Sequence, residues 1–184
     1  MGKFQSFIEQ LGQEQNILLN DIPEIDLYMD QVIQLFENKF NDTKRNEDEK
    51  ILTKTMINNY AKGKLLFPIK NKKYSKEHII LISLIYQLKG ALSIKDIQAT
   101  LQGINERIEG NLNLESFYDR YLQESAANTA GFTEDIQARM EKTVIEEEEY
   151  LSKVLLISSL VNMSNLYRRA AEKLVDEIVE GKNE

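Results

Sequence analysis

Cysteine is missing altogether, so disulfides, thiolate metal sites and cysteine nucleophiles are excluded. There is a single histidine, His78, which rules out a histidine-based metal cluster. With no partner motif around it, a Ser-His-Asp triad is also excluded, and a surface or interface place is expected for it. Glycine-rich phosphate loops are lacking. The most apolar run, Val154 to Met163, is short and broken by Ser158, Ser159 and Asn162, too polar to span a membrane. No basic, apolar leader opens the chain, so a soluble cytoplasmic protein is expected. Only two prolines and eight glycines interrupt 184 residues, and strand-like alternation is nearly absent. The fold class is therefore mainly α, with a small β element near Pro68. Nothing in these residues supports catalysis, and no cofactor is expected.

The most telling absence is local. From Lys50 to Lys76 there are eight lysines and no Asp or Glu, although the whole chain has a formal charge of −7. The other 157 residues hold 15 basic and 30 acidic side chains, so a window of +8 sits within surroundings of −15. Such segregation points to one anionic partner rather than to general stickiness.

Helical periodicity organises the rest. Phe4, Phe7, Ile8 and Leu11 predict an amphipathic helix over 3–11. Ile25, Met29, Val32, Phe36 and Phe40 share a face of a second helix, with Asp26 as its N-cap. Residues 41–50 read as a solvated connection. Thr53 caps a helix to about Lys62, and Gly63 stands where a left-handed terminal residue belongs. Leu66 to Tyr74 reads as an extended hairpin or wing, because Pro68 forbids helix. Ser75 then caps a strongly apolar, central helix to Lys89, ended by Gly90. Ser93 and Asp96 start a further helix carrying Ile94, Ile97 and Leu101. Leu114, Phe117, Tyr118, Tyr121 and Leu122 mark a helix over 113–124, its rings read as core packing rather than a base-stacking platform. The stretch SAANTAG after it reads as a hinge, and Thr133 as the start of a C-terminal helical region with a break near Glu146 to Tyr150. The acidic run at 146–149 reads as a solvated helix start or bend, since consecutive helical residues point in different directions. Three regions result: an N-terminal helix (1–20), a DNA-binding domain (21–105) and a helical dimerisation or accessory region (106–184).

Helix, connection, helix, short wing, helix is the order of a winged helix-turn-helix, whose second helix enters the major groove. Lys54, Thr55, Asn58, Asn59 and Lys62 project outward on the 53–62 helix, while Met56, Ile57 and Tyr60 can face inward. Asparagine can bond adenine through both amide atoms, and threonine can touch a base or a thymine methyl. Lys64, Lys70, Lys72 and Lys73 would lie along the phosphate backbone. A sequence-specific transcriptional regulator on double-stranded DNA is the leading expectation. The alternative is a helical adaptor that binds an acidic protein. Because one such domain covers few bases, a homodimer is expected through Leu160, Met163, Tyr167, Leu174 and Ile178. Helices 113–124 and 133–180 leave room for a small apolar effector, though no polar constellation identifies one.

The stretches IDLYMDQV (25–32), LTKTMINNY (52–60), KKYSKEHI (72–79) and LSIKDI (92–97) resemble an uncharacterised bacterial family, a domain of unknown function, over about residues 20–105. The central part is similar to the MerR-type winged helix-turn-helix. That family's Leu-Arg-Tyr-Tyr signature falls on Ile57, Asn58, Asn59 and Tyr60. Gly63, Leu65 and Pro68 match its Gly-x-Leu-x-x-Pro step, and Tyr74-Ser75 its Tyr-Ser. The resemblance implies a phosphate contact from Tyr60. It implies none from Asn58, which replaces the family's arginine, and the wing is several residues shorter.

Overall fold

The computed structural model describes Ile8 and residues 16–108, 112–146 and 148–181. The helix expected over 3–11 falls outside the described residues, Ile8 apart. Six α-helices and one two-stranded antiparallel sheet are present among the described residues, a mainly helical fold with a small β element. The chain divides into two compact units, one of residues 14–122 and one of 1–13 with 123–184.

In the 14–122 unit, strand β1 (Leu27–Tyr28) leads straight into α1 (Met29–Phe40). The Tyr28 N–H donates to Gln31 Oε1 at 2.8 Å and so caps α1. Asp26 was the expected cap and Ile25 an expected core residue, but the helix starts later and Ile25 is 70% exposed. The reason is long-range: Leu27 and Tyr28 pair with Tyr74 and Lys73 of β2 (Lys73–Tyr74), which holds them extended. Val32, Phe36 and Phe40, spaced by one turn each, are buried. Phe40 stacks on Tyr86 at 4.5 Å between ring centroids.

Helix α2 (Lys54–Lys62) starts as the sequence predicts, with Thr53 Oγ1 accepting from Met56 N at 3.1 Å. Its end differs. Gly63 has φ −76°, and the left-handed residue is Lys64, at φ 56°. Leu65 N donates to Tyr60 O and Lys64 N to Ala61 O, a paired closure that needs one left-handed residue after the cap. Glycine at 63 relieves crowding instead, because a Cβ there would lie 2.7 Å from Leu65 Cδ1, so that the leucine would have to shift, and 3.1 Å from Asn59 O.

Helix α3 (Lys76–Leu88) is the central element, with Ile79 to Ile85 buried all round, as its uninterrupted apolar sequence dictates. Helix α4 (Ile94–Ile108) opens on the expected reciprocal cap: Ser93 N donates to Asp96 Oδ2 and Asp96 N to Ser93 Oγ, each at 3.2 Å. Ile97 and Leu101 are buried, whereas Ile94 is exposed. Tyr118, at the start of α5 (Leu114–Lys142), closes the core and donates its hydroxyl to Ile17 O at 2.8 Å. Burial pushes that phenol up to about 12.

The expected hinge at SAANTAG is helical, and so is Thr133: both lie inside the 29 residues of α5. The alanines favour helix strongly, and Thr129 and Thr133 bond back to the carbonyls of Ser125 and Thr129, so nothing stops propagation. The expected break near residue 146 is present. Thr143 ends the turn, and α6 runs from Glu149 to Glu180. In the unit that holds 123–184, the end of α5 and the start of α6 form an antiparallel hairpin. Arg139 Nη1 donates to Ser159 Oγ at 3.1 Å and Ile145 N to Ser152 Oγ at 2.8 Å.

Candidate nucleic-acid interface

The outer face of α2 carries the polar side chains that the sequence assigned to it. Lys54, Thr55, Asn58, Asn59 and Lys62 are all exposed, because Ile57 and Tyr60 anchor the opposite face in the core. Tyr60 itself is 5% exposed, and burial raises its phenol above the ordinary value. Its ring is committed to packing, which corrects its place among the surface contacts. No acidic residue occupies the first turn of α2.

The segment after α2 returns to the sheet through a tight turn. Lys70 and Lys73 bridge across it, with Lys73 N donating to Lys70 O at 3.0 Å. Between them Asn71 and Lys72 have φ 52° and 57°, the pair of positive values that a two-residue hairpin turn requires. Asparagine tolerates this conformation; lysine does so at a cost. Lys64, Asn71 and Lys72 are the positive-φ non-glycine residues among the described residues, and all three fall in the lysine window. The signal in the sequence was weak, since the turn reads Asn-Lys where Asn-Gly would be the usual sign.

The lysines divide by partner. Lys76 is withdrawn from the patch: it bonds Glu24 at 2.8 Å and Glu115 at 3.0 Å, and those bonds raise its pKa. Lys54 pairs with exposed Asp30 at 2.7 Å. Lys73 Nζ sits 5.3 Å from the Tyr28 ring centre, a cation–π contact. Lys62, Lys64, Lys70 and Lys72 are exposed, and no ion pair engages them among the described residues. The structure thus brings Lys70, Lys72 and Lys73 together at one turn and sets Lys64 at the end of α2.

His78 is not at the surface as expected but 3% exposed, stacked on Phe67 with ring centroids 3.8 Å apart. Its Nδ1 accepts from Ser75 N at 3.1 Å, which leaves Nε2 to carry the proton and donate to Phe67 O at 3.3 Å. A neutral imidazole satisfies both bonds, and burial holds its pKa below 6.5. His78 is a bracket between α3 and the segment that carries the lysine turn. Beside it lies a groove of about 730 Å³, lined by Leu66, Phe67, Pro68 and Ile69 and by Gln98, Gln102 and Asn105 of α4.

On α6 the residues expected to dimerise do not share one environment. Leu160 and Met163 are half-buried, whereas Tyr167, Leu174 and Ile178 are exposed. Among the described residues no group of three or more His, Asp or Glu is placed to hold a metal ion. No helix among them is long and apolar enough to cross a membrane.

Residues 17–121 match the model of a domain of unknown function, DUF1836, and the chain belongs to that family. No curated protein and no solved structure matches the chain.

Proposed function

We propose that the protein is a cytoplasmic, sequence-specific DNA-binding regulator built on a MerR-like winged helix-turn-helix. Helix α2 reads the major groove through Thr55, Asn58 and Asn59. Lys62 and Lys64, with Lys70, Lys72 and Lys73 of the turn, hold the phosphate backbone. The observation that carries this reading is the placement of lysine at positive φ. At Lys64 and Lys72 glycine would be conformationally cheaper by about 1 kcal/mol each, yet a charge stands there. A cation kept against a backbone preference is best accounted for by what it binds. Asn58 in place of an arginine shifts phosphate binding to the lysines and leaves α2 to read bases.

The test is selection of bound duplexes from a random-sequence pool, repeated with variants. Lys72→Glu weakens all sequences alike, whereas Asn58→Ala and Asn59→Ala change the preference at individual bases. Asparagine variants that select the same sequences as the parent would remove α2 from base reading. One observation favours a second reading, a helical adaptor for an acidic protein. Asp30 neutralises Lys54 at the start of α2, where a phosphate would otherwise lie. Selection that recovers no duplex would turn the case toward it.

A further inference from the structure

Helix α6 carries an apolar row that its own hairpin leaves open. Tyr150, Val154, Ile157 and Val161 follow the alternating spacing of four and three that marks a two-helix seam, and they are 74%, 41%, 60% and 54% exposed. Leu156, Leu160 and Met163, by contrast, are turned far enough inward to be half-buried. From Val154 to Tyr167 the helix has no charged residue at all. In a chain this rich in charge, an exposed uncharged row of large side chains marks a contact surface.

The ends of the row say what covers it. Before it stand exposed Glu146 and Glu148, and beyond it stand exposed Arg168 and Arg169. We propose that a second copy of this chain packs on the row with its α6 antiparallel, crossing near Ile157–Ser158. That crossing sets Val154 against Val161 of the copy and Tyr150 against Asn165. It also brings the acidic start of each helix to the arginines of the other. One two-fold axis satisfies all three zones, and each zone occurs twice. A partner of unrelated sequence would have no need of a row with opposite charges placed symmetrically about its centre. Arg168 now bonds Glu172 at 3.1 Å and Asn165 at 3.4 Å within its own helix. Both bonds are exposed and cheap to exchange. The inference deepens the dimer expected of a DNA-binding regulator: it moves the seam from Leu160 and Met163 to a neighbouring face.

The absence of cysteine makes the test direct. Val154→Cys and Val161→Cys are prepared separately in the full chain, each at an exposed position, and oxidised alone and as a mixture. The mixture forms a disulfide-linked dimer and neither variant does so alone. Ile157→Asp, compared by sedimentation without DNA, weakens association by more than about 100-fold, because the two-fold axis buries two unpaired like charges beside each other in the seam. Self-linking of either variant alone would mean a parallel or different seam. No linking in the mixture, or a parent chain that stays monomeric at all concentrations, would overturn the inference. None of these results involves DNA, so the dimer and the DNA reading stand or fall separately.

Discussion

The two compact units treat their apolar side chains in opposite ways. In the unit of residues 14–122, a continuous core runs from Ile17 to Tyr118, and its central helix α3 is buried on every side. In the unit that holds 123–184, Ile136 and Val175 are the large apolar residues buried after residue 122, among those described. Phe132, Tyr150, Ile157, Val161, Leu166, Tyr167 and Leu174 remain exposed there. The difference separates two kinds of stability. The first unit satisfies its own hydrophobic demand and can present a surface made of charge and amides. The second has apolar surface left over, which assembly can use.

Substitutions in the two units should therefore behave differently. The largest effect is expected from Phe36→Ala, which empties a fully buried site and costs about 3–5 kcal/mol in a denaturant titration. Ile157→Ala, at an exposed row, should change monomer stability by less than about 0.5 kcal/mol. Equal losses at the two positions would erase the contrast. A middle-sized effect is expected from Tyr118→Phe. It leaves the Ile17 carbonyl without its hydroxyl donor and costs about 1–2 kcal/mol, read from the same titration.

The lysine turn allows a sharper test, because stability and binding should move in opposite directions. Lys72→Gly relieves a left-handed lysine and should raise stability by about 1 kcal/mol while weakening DNA binding. Lys64→Gly should do the same at the end of α2. A loss of stability in either would show that the lysine contributes a contact within the fold.

The smallest effect is the pH response of His78, whose folded pKa lies below 6.5 because it is buried. Well above pH 6.5 both the folded and the unfolded chain hold it neutral, and it contributes no pH dependence. As pH falls below 6.5 the unfolded chain takes up a proton that the folded one refuses. Stability then declines until the folded pKa is reached and levels off below it. Unfolding followed between pH 7 and pH 5, above the carboxylate range, should show this slope in the parent. The slope should vanish in His78→Gln. A parent with no slope would mean that the imidazole does not stay neutral under Phe67.

Much of this was legible from local sequence. Thr53, Ser75 and the Ser93–Asp96 pair announce helix starts, because caps act over three or four residues. The apolar circumference of α3 also shows directly. What escaped was long-range. Asp26 looked like a cap, but pairing of Leu27 and Tyr28 with residues 73 and 74 delays the helix. The acid-free window looked uniformly free, but Asp30, Glu24 and Glu115 reach in from other elements to engage Lys54 and Lys76. His78 looked superficial from its place in a first turn, and the return of Phe67 and Tyr74 across the fold packs rings against it. Gly63 shows a subtler limit: the sequence marked the right step but not which of two neighbours turns left-handed.

The central claim is that the lysines left without acidic partners bind a nucleic-acid backbone. Binding of the full chain to its selected duplex, followed from about 50 to 200 mM salt, tests it most directly. The account predicts a linear fall of log affinity with log salt, with a slope on the order of −4 to −8 for a dimer, reduced by Lys72→Gly. A duplex that does not bind at the lowest salt, or binds with no salt dependence, would contradict it.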